Sequence, residues 1–393
     1  MAWTRIVNHE GKVVVTLPSP VLDRYRIRNP DGTEPIESER DDTIVRAVGD
    51  GGFGTVVRVA DRVELPRALK IINPAQLAAV RSSRHSRLYT PGYSASPTDS
   101  DSITSRISDE IRNTNALPFK NIVPIIDYGS FHDANGATLP FYVSPFIPGT
   151  PLDKYFIARR PTEADLNADR SLPSRLHDLI LALIDDLLRA LTELADAGVV
   201  HMDLKPANIM VMRTADPTPA SGSISDRLFV IDLGAAISAH GPRRDRVHLI
   251  ITPRFFPTHL LNELEFSRSD GMVSHQAVVQ HGRQIDMFAV GRTLELLFLD
   301  RVRRSVTDFE VNDKSRVVER SKELLSRRVL GDDFAVVEGL IDRLMKTNGD
   351  GFTSPADAQL AFQTVARHES RSVLASRILT DQSPGLRVNV GGT

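Results

Sequence analysis

The eight residues His201-Met202-Asp203-Leu204-Lys205-Pro206-Ala207-Asn208 hold an acid, a cation two positions later and an amide five positions later. Such a set offers a base, a charge to neutralise a phosphate and an oxygen donor for a metal. Phosphoryl transfer draws on those parts, because it is catalysed mainly by positioning and charge stabilisation. A polar loop after a helix would look similar, but Val199-Val200 and Ile209-Met210-Val211 set this one between buried strands. A second acid, Asp232, ends the apolar run Phe229-Val230-Ile231 and precedes Leu233-Gly234. An acid in that place often caps a turn, and it is also how a strand presents a carboxylate to magnesium.

Two further groups suit a nucleotide. Lys70 lies inside Ala68-Leu69-Lys70-Ile71-Ile72, where it must face solvent on an edge strand or find a partner. Glu110 is the candidate partner. Ile103, Ile107, Ile111 and Leu117 recur at helical spacing, and position 110 shares their face. An inward acid and an inward base can neutralise each other and hold Lys70 against phosphates. Upstream, Val48-Gly49-Asp50-Gly51-Gly52-Phe53-Gly54-Thr55-Val56 places glycines where a tight hairpin could bring backbone N–H groups to phosphate oxygens. Alone it also fits an ordinary glycine-rich turn. A dinucleotide-binding loop would need a helix directly after Gly54, whereas Thr55–Val59 is rich in β-branched residues.

The elements that must carry these residues fall into two halves. Strand and turn signals dominate from about Thr43 to Ile72, after a β-like run at Lys12–Leu17 and a turn at Asn29-Pro30-Asp31-Gly32. Ile122–Ile126 and Phe141–Val143 read as further strands. Leu176–Ala197 is strongly amphipathic and predicts a long helix, with short strands at Ile209–Met212 and Leu228–Ile231. Helical patterns cover 285–302, 315–329, 333–346 and 355–367. Arg81–Ser108 holds twelve serines and threonines and almost no large apolar residues, so most of it reads as a disordered insert. The expected class is α+β: a small, mostly β lobe leading into a larger, mostly α lobe.

Composition narrows the partners. The 393 residues are 41% hydrophobic and 25% charged, with a net charge of −2, so nothing calls for nucleic acid or an anionic membrane. Cysteine is absent, which excludes disulfides, thiolate metal sites and cysteine nucleophiles and is compatible with a reducing cytoplasm. The N-terminus lacks the apolar core of a signal peptide, and charges interrupt Leu176–Leu194 and Ile285–Leu299. A soluble, cytoplasmic protein is expected.

In this order the clusters resemble the eukaryotic-like serine/threonine protein kinase family. Gly49–Val56 resembles its GxGxxGxV loop, Ala68–Lys70 its AxK strand, residues 201–208 its HxDLKPxN loop and Asp232-Leu233-Gly234 its DFG motif. Phe119–Val123 resembles HPNIV, Phe141–Gly149 the fifth strand and hinge, and Asp286–Gly291 the DxWxxG start of the central helix. The resemblance covers about residues 42–368. It implies a kinase domain with an N-lobe over about 42–147, interrupted at about 76–100, and a C-lobe over about 148–368. Residues 1–41 would form an extension and 369–393 a polar tail.

It also implies ATP and Mg²⁺ (or Mn²⁺) between the lobes and a protein substrate with serine or threonine acceptors. Asp203 would be the base, Lys205 would neutralise the moving phosphoryl group, and Asn208 and Asp232 would hold the metal. Lys70, fixed by Glu110, would hold the α/β-phosphates. Gly49, Asp50, Gly51, Gly52, Phe53, Gly54, Val56 and Ala68 would surround the nucleotide, with Ser144 as gatekeeper and the backbone around Pro145 and Ile147 bonding adenine. Lys205 resembles serine/threonine rather than tyrosine kinases. Thr252 resembles the family's threonine that bonds the catalytic aspartate.

The sequence departs from the pattern at Met202, where an arginine is usual, and in a degraded APE motif around Thr252–Thr258. The glutamate of that motif and the arginine expected to pair with it are both missing, so no buried charge is stranded. Further inserts are read at 161–173, 214–226 and about 259–282. The rival reading is a pseudokinase serving as a nucleotide-binding scaffold.

Overall fold

The computed structural model describes residues 3–18, 24–35, 42–51, 54–72, 120–133, 136, 138–158, 163–213, 226–240, 245–249, 251–267, 271–299, 326–347 and 349–366. The helix expected to carry Glu110, the insert at Arg81–Ser108, Gly52, Phe53 and the tail from Glu369 lie outside them.

The first half is built of strands β1 (Trp3–Val7), β2 (Val13–Pro18), β3 (Arg26–Arg28), β4 (Asp42–Arg46), β5 (Gly49–Gly51), β6 (Gly54–Ala60), β7 (Pro66–Ile71), β8 (Asp127–His132) and β9 (Thr138–Pro145). The main sheet has the order β3-β6-β7-β9-β8, all antiparallel, with β5 also paired to β6. Side chains alternate along β7, so Leu69 and Ile71 face one side of the sheet and Lys70 the other. The apolar side is covered by a second layer, β2-β1-β4, in which Ile6, Val15, Leu17 and Val45 pack on Val57, Val59, Leu69, Ile71, Phe141 and Val143. Removing a side chain of this size from water stabilises by about 1.5–3 kcal/mol. The segment before residue 42 therefore shares a sheet and a core with the lobe that follows it, β1 running parallel to β4.

Ile122–Ile126 does not form the expected strand. Ile122 makes one parallel bridge to Val230, Asn121 O accepts the Val230 N–H at 2.7 Å, and Val123 N–H reaches Val230 O at 2.9 Å. The segment is thus docked on the second half of the chain. The neighbouring strand starts at Asp127, in a stretch (DYGSFH) with little β character of its own.

The second half continues through β10 (Gly149–Pro151), α1 (Leu152–Ala158), α2 (Glu163–Ala168), α3 (Leu172–Asp196), β11 (Val199–Val200), β12 (Ile209–Arg213), β13 (Asp226–Val230), β14 (Ile237–Ser238), β15 (Arg246–His248), β16 (Met272–Ser274), α4 (His275–Phe298), α5 (Asp333–Leu344) and α6 (Pro355–Ala366). Helix α3 buries Leu179, Ile180, Leu183, Ile184, Leu187, Leu188, Leu191 and Leu194, an apolar stripe at helical spacing that centres the larger core. Part of the expected insert at 161–173 is α2. The central helix starts at His275 rather than 285, because Ser274 caps it by accepting the Ala277 N–H at 3.4 Å. Its first turns thus take up part of what was read as an insert. No helix among the described residues is long and apolar enough to cross a membrane. The chain is a β-rich part followed by a helical part, as expected.

Candidate active site

Residues 201–208 join β11 to β12 and end in a short 3₁₀ turn, Pro206–Asn208. Met202 within them has a φ of 69°, in the left-handed region that non-glycine residues seldom adopt. It is held there by Asp286 on α4, whose carboxyl accepts the His201 N–H at 2.7 Å and the Met202 N–H at 3.1 Å. Burial pushes the Asp286 carboxyl up to about 7 against the pull of those two N–H groups. The Met202 side chain is buried in an apolar cluster with Ile237, Leu249, Phe256 and Ile285.

Asp203 is buried and fully engaged. Its Oδ1 accepts the Thr252 hydroxyl at 2.7 Å; its Oδ2 accepts Lys205 Nζ at 2.6 Å and Asn208 Nδ2 at 3.2 Å. Lys205 Nζ also donates to Thr252 Oγ1 at 2.9 Å, and Asn208 Nδ2 to the Asp203 carbonyl at 2.8 Å. Acid, lysine and threonine form one hydrogen-bonded ring, and the amide is bonded to the acid from outside it. His201 is buried beneath it: its Nδ1 accepts the Asp203 N–H at 3.3 Å, so Nε2 carries the proton toward Ile231 O at 3.2 Å. Burial pushes the imidazole below its ordinary value, more than Asp203 and Asp232 raise it.

Asp232 follows β13 and sits beside this ring, tied to it by the Ile231 N–H, which donates to Asn208 O at 2.9 Å. Its own φ is 66°. Oδ1 accepts Lys70 Nζ in a close ion pair, the Tyr142 hydroxyl at 3.1 Å and the Gly234 N–H at 3.4 Å. Burial alone would raise the carboxyl, but Lys70 by charge and hydrogen bond, followed by His201 and Lys205, outweighs it and holds the group at about 2. Among the described residues Asp232 Oδ2 and Asn208 Oδ1 accept no hydrogen bond. A carboxylate oxygen and an amide oxygen without donors suit a hard divalent cation such as magnesium, which binds through few protein oxygens plus phosphate and water.

Lys70 is placed by register. Across β6, β7 and β9 the opposed residues Val56, Lys70 and Tyr142 form one row, and Ala68 opposes Ser144 in the next. Pro145 ends β9. Among the described residues the Ile147 N–H, between β9 and β10, has no acceptor. Gly51 pairs with Gly54 across the β5–β6 hairpin, with Gly49 opposite Val56 and Asp50 opposite Thr55. Gly54 has φ +143°, and a Cβ there would meet Ile71 O at 2.1 Å, so only glycine fits.

Lys70 thus meets Asp232, and Asp203 meets Lys205 and Asn208, while Val56 lies opposite Lys70 and Ala68 opposite Ser144 in the sheet. Glu110 lies outside the described residues; among those described, Lys70 pairs with Asp232. Tyr142 was missed. It stands two residues before Ser144, so the two-residue period of a strand points it to the same face.

The family model for the protein kinase domain matches residues 43–319, more than half of the chain. A segment of 108 residues is 30% identical to the serine/threonine-protein kinase PksC of Streptomyces coelicolor, covering 28% of this chain and 18% of that protein. Another of 102 residues is 28% identical to the mitogen-activated protein kinase p38a of Drosophila melanogaster, covering 26% of this chain and 25% of that protein. The chain thus spans about a fifth and a quarter of the length of these relatives. With a β-rich part followed by a helical part that carries this loop, the chain belongs to the protein kinase domain family.

Proposed function

We propose that the chain is an ATP- and magnesium-dependent serine/threonine protein kinase. The observation that carries this reading is the closed ring of Asp203, Lys205 and Thr252, with Asn208 bonded to Asp203, beside an Asp232 with one oxygen free of donors among the described residues. Asp203, held by three donors, takes the proton of a serine or threonine hydroxyl as its oxygen attacks the γ-phosphorus and ADP leaves. Lys205 stands on the same carboxylate and neutralises the phosphoryl group in flight. Lys70 binds the α/β-phosphates, with Glu110 as its partner, and the glycine hairpin Gly49–Gly54 covers them. Val56 and Ala68 enclose the base, Ser144 sets the depth of its pocket, and the backbone at Pro145 and Ile147 bonds adenine. Asn208 and Asp232 would hold magnesium, which would supply positive charge to the phosphates. Lys205 favours serine/threonine over tyrosine specificity, in keeping with the name of the Streptomyces coelicolor relative.

The test is transfer of radiolabel from γ-labelled ATP to the chain itself and to a generic acceptor protein. Asp203→Asn, nearly isosteric, should lower the rate by roughly 10³-fold or more while ATP still binds, since positioned proton transfer contributes about 10²–10⁴-fold. A variant that keeps most of the wild-type rate refutes the assignment. A wild type that binds ATP yet transfers nothing favours the scaffold reading.

A further inference from the structure

We propose that Tyr142 is a positioning residue for phosphoryl transfer: its hydroxyl reaches from the β-rich lobe to fix the Asp232 carboxylate, leaving Oδ2 for the cation. The inference rests on the kinase reading above and adds a residue to which none of the motifs gives a role.

Tyr142 is 4% exposed and lies on β9 directly opposite Lys70, whose Nζ is 5.5 Å from the centre of its ring. The hydroxyl lies 3.1 Å from Asp232 Oδ1, across the boundary between the sheet and the loop after β13. Among the described residues three donors, Lys70, Tyr142 and Gly234, converge on Oδ1 and none on Oδ2. That asymmetry orients the carboxylate. It matters because Asp232 holds a left-handed backbone, a setting that lasts only where the surroundings enforce it.

The donors differ in what else they must do. In the kinase reading Lys70 serves phosphates, so its hold on Oδ1 is shared. The Gly234 N–H is long at 3.4 Å. The phenol is rigid, packed between β7 and β8, and neutral, so it orients Oδ1 without competing for the cation as a second charge. Partners of a metal-binding carboxylate typically set metal affinity or activity by a factor of 10–100.

A tyrosine that was merely buried and satisfied would behave otherwise: losing its hydroxyl would shift melting and leave cation dependence alone. The full chain carrying Tyr142→Phe is therefore compared with wild type and with Tyr128→Phe. Tyr128 is the cross-strand neighbour of Tyr142 on β8, 50% exposed, and its hydroxyl does not reach Asp232. Mn²⁺ affinity is measured by electron paramagnetic resonance with a saturating non-hydrolysable ATP analogue, alongside the Mg²⁺ concentration for half-maximal transfer and the melting temperature.

Tyr142→Phe should weaken Mn²⁺ binding and raise the Mg²⁺ requirement roughly tenfold, with the acceptor KM unchanged and Tyr128→Phe matching wild type. Both cation readouts within twofold of wild type would overturn the proposal. If Tyr142→Phe does not fold, 2,3-difluorotyrosine at position 142 keeps the shape and alters the donor strength. The Mg²⁺ requirement should then move at least twofold, and an unmoved value overturns the proposal. A wild type that binds no Mn²⁺ with the nucleotide analogue brings down the kinase reading and this inference with it.

Discussion

Replacing Asp286 by asparagine separates the charge of this residue from its shape. The carboxyl is buried on α4, holds the N–H groups of His201 and Met202, and is pushed from 3.8 to about 7 by burial. A folded pKa above the unfolded one means that the folded chain keeps the proton longer. The stability it contributes is complete below about 3.8 and is lost as pH rises through about 7. At about 1.36 kcal/mol per unit, ionisation between pH 5 and pH 8 removes about 2.5 kcal/mol. Asparagine does not titrate. In urea unfolding, the stability of wild type relative to Asp286→Asn should therefore fall by about 2.5 kcal/mol from pH 5 to pH 8. The amide also has one acceptor oxygen for two N–H groups, so one donor loses its partner at every pH, at about 1–3 kcal/mol. Met202, strained at φ 69°, depends on that anchor. If the transition state must restore the loop, kcat should fall roughly 5- to 150-fold. A stability difference that does not change with pH, or a variant of full activity, refutes the reasoning.

Gly282→Ala should strain the joint between α4 and β11, because the new Cβ would lie 2.1 Å from Val200 Cγ2. Overpacking of this kind costs about 1–3 kcal/mol, read as a lower melting temperature; if adding Val200→Ala to it does not recover stability, the clash is not the cause. Activity should not require phosphate on the segment between Asp232 and Thr252. Its one hydroxyl, Ser238, is buried and accepts the His240 N–H at 3.1 Å, and Met202 is packed in apolar surroundings with no cation to offer a phosphate. Phosphatase-treated chain should phosphorylate an acceptor at close to its untreated initial rate, and a large loss recovered by rephosphorylation within residues 232–258 would contradict this.

The residues around Asp203 were legible because their chemistry is local: acid, lysine and amide sit within six positions, and Thr252 opens a run that still resembles part of a family motif. Helix α3 was legible because its stripe repeats over 25 residues. What escaped has a common physical cause, dependence on distant partners. The parallel pairing of β1 with β4 joins segments about forty residues apart, and nothing inside Trp3–Val7 announces it. Ile122–Ile126 has the composition of a strand, yet Val123 N–H goes to Val230 O and Ile126 N–H to Val143 O, so a one-residue bridge at Ile122 replaces a ladder. Tyr142 was hidden for the same reason: in sequence it is one aromatic in an apolar strand, and only the register with β7 brings it beside Lys70.

The two strained residues divide the site into halves with different dependencies. Met202 is held by Asp286, and Asp203 by Lys205, Asn208 and Thr252, so every group around the proposed base belongs to the helical part. Asp232 is held from the β-rich part, by Lys70 on β7 and Tyr142 on β9. Moving the sheet away from the helical part would leave the Asp203 ring intact. The same motion would take two of the three donors from Asp232 Oδ1, leaving the Gly234 N–H at 3.4 Å to hold a left-handed residue in place. In the proposed reading, lobe motion therefore acts on the nucleotide and metal side of the reaction and spares the acceptor side. A ligand or partner that opens the cleft should raise the Mg²⁺ and ATP requirements before it alters the handling of the acceptor hydroxyl.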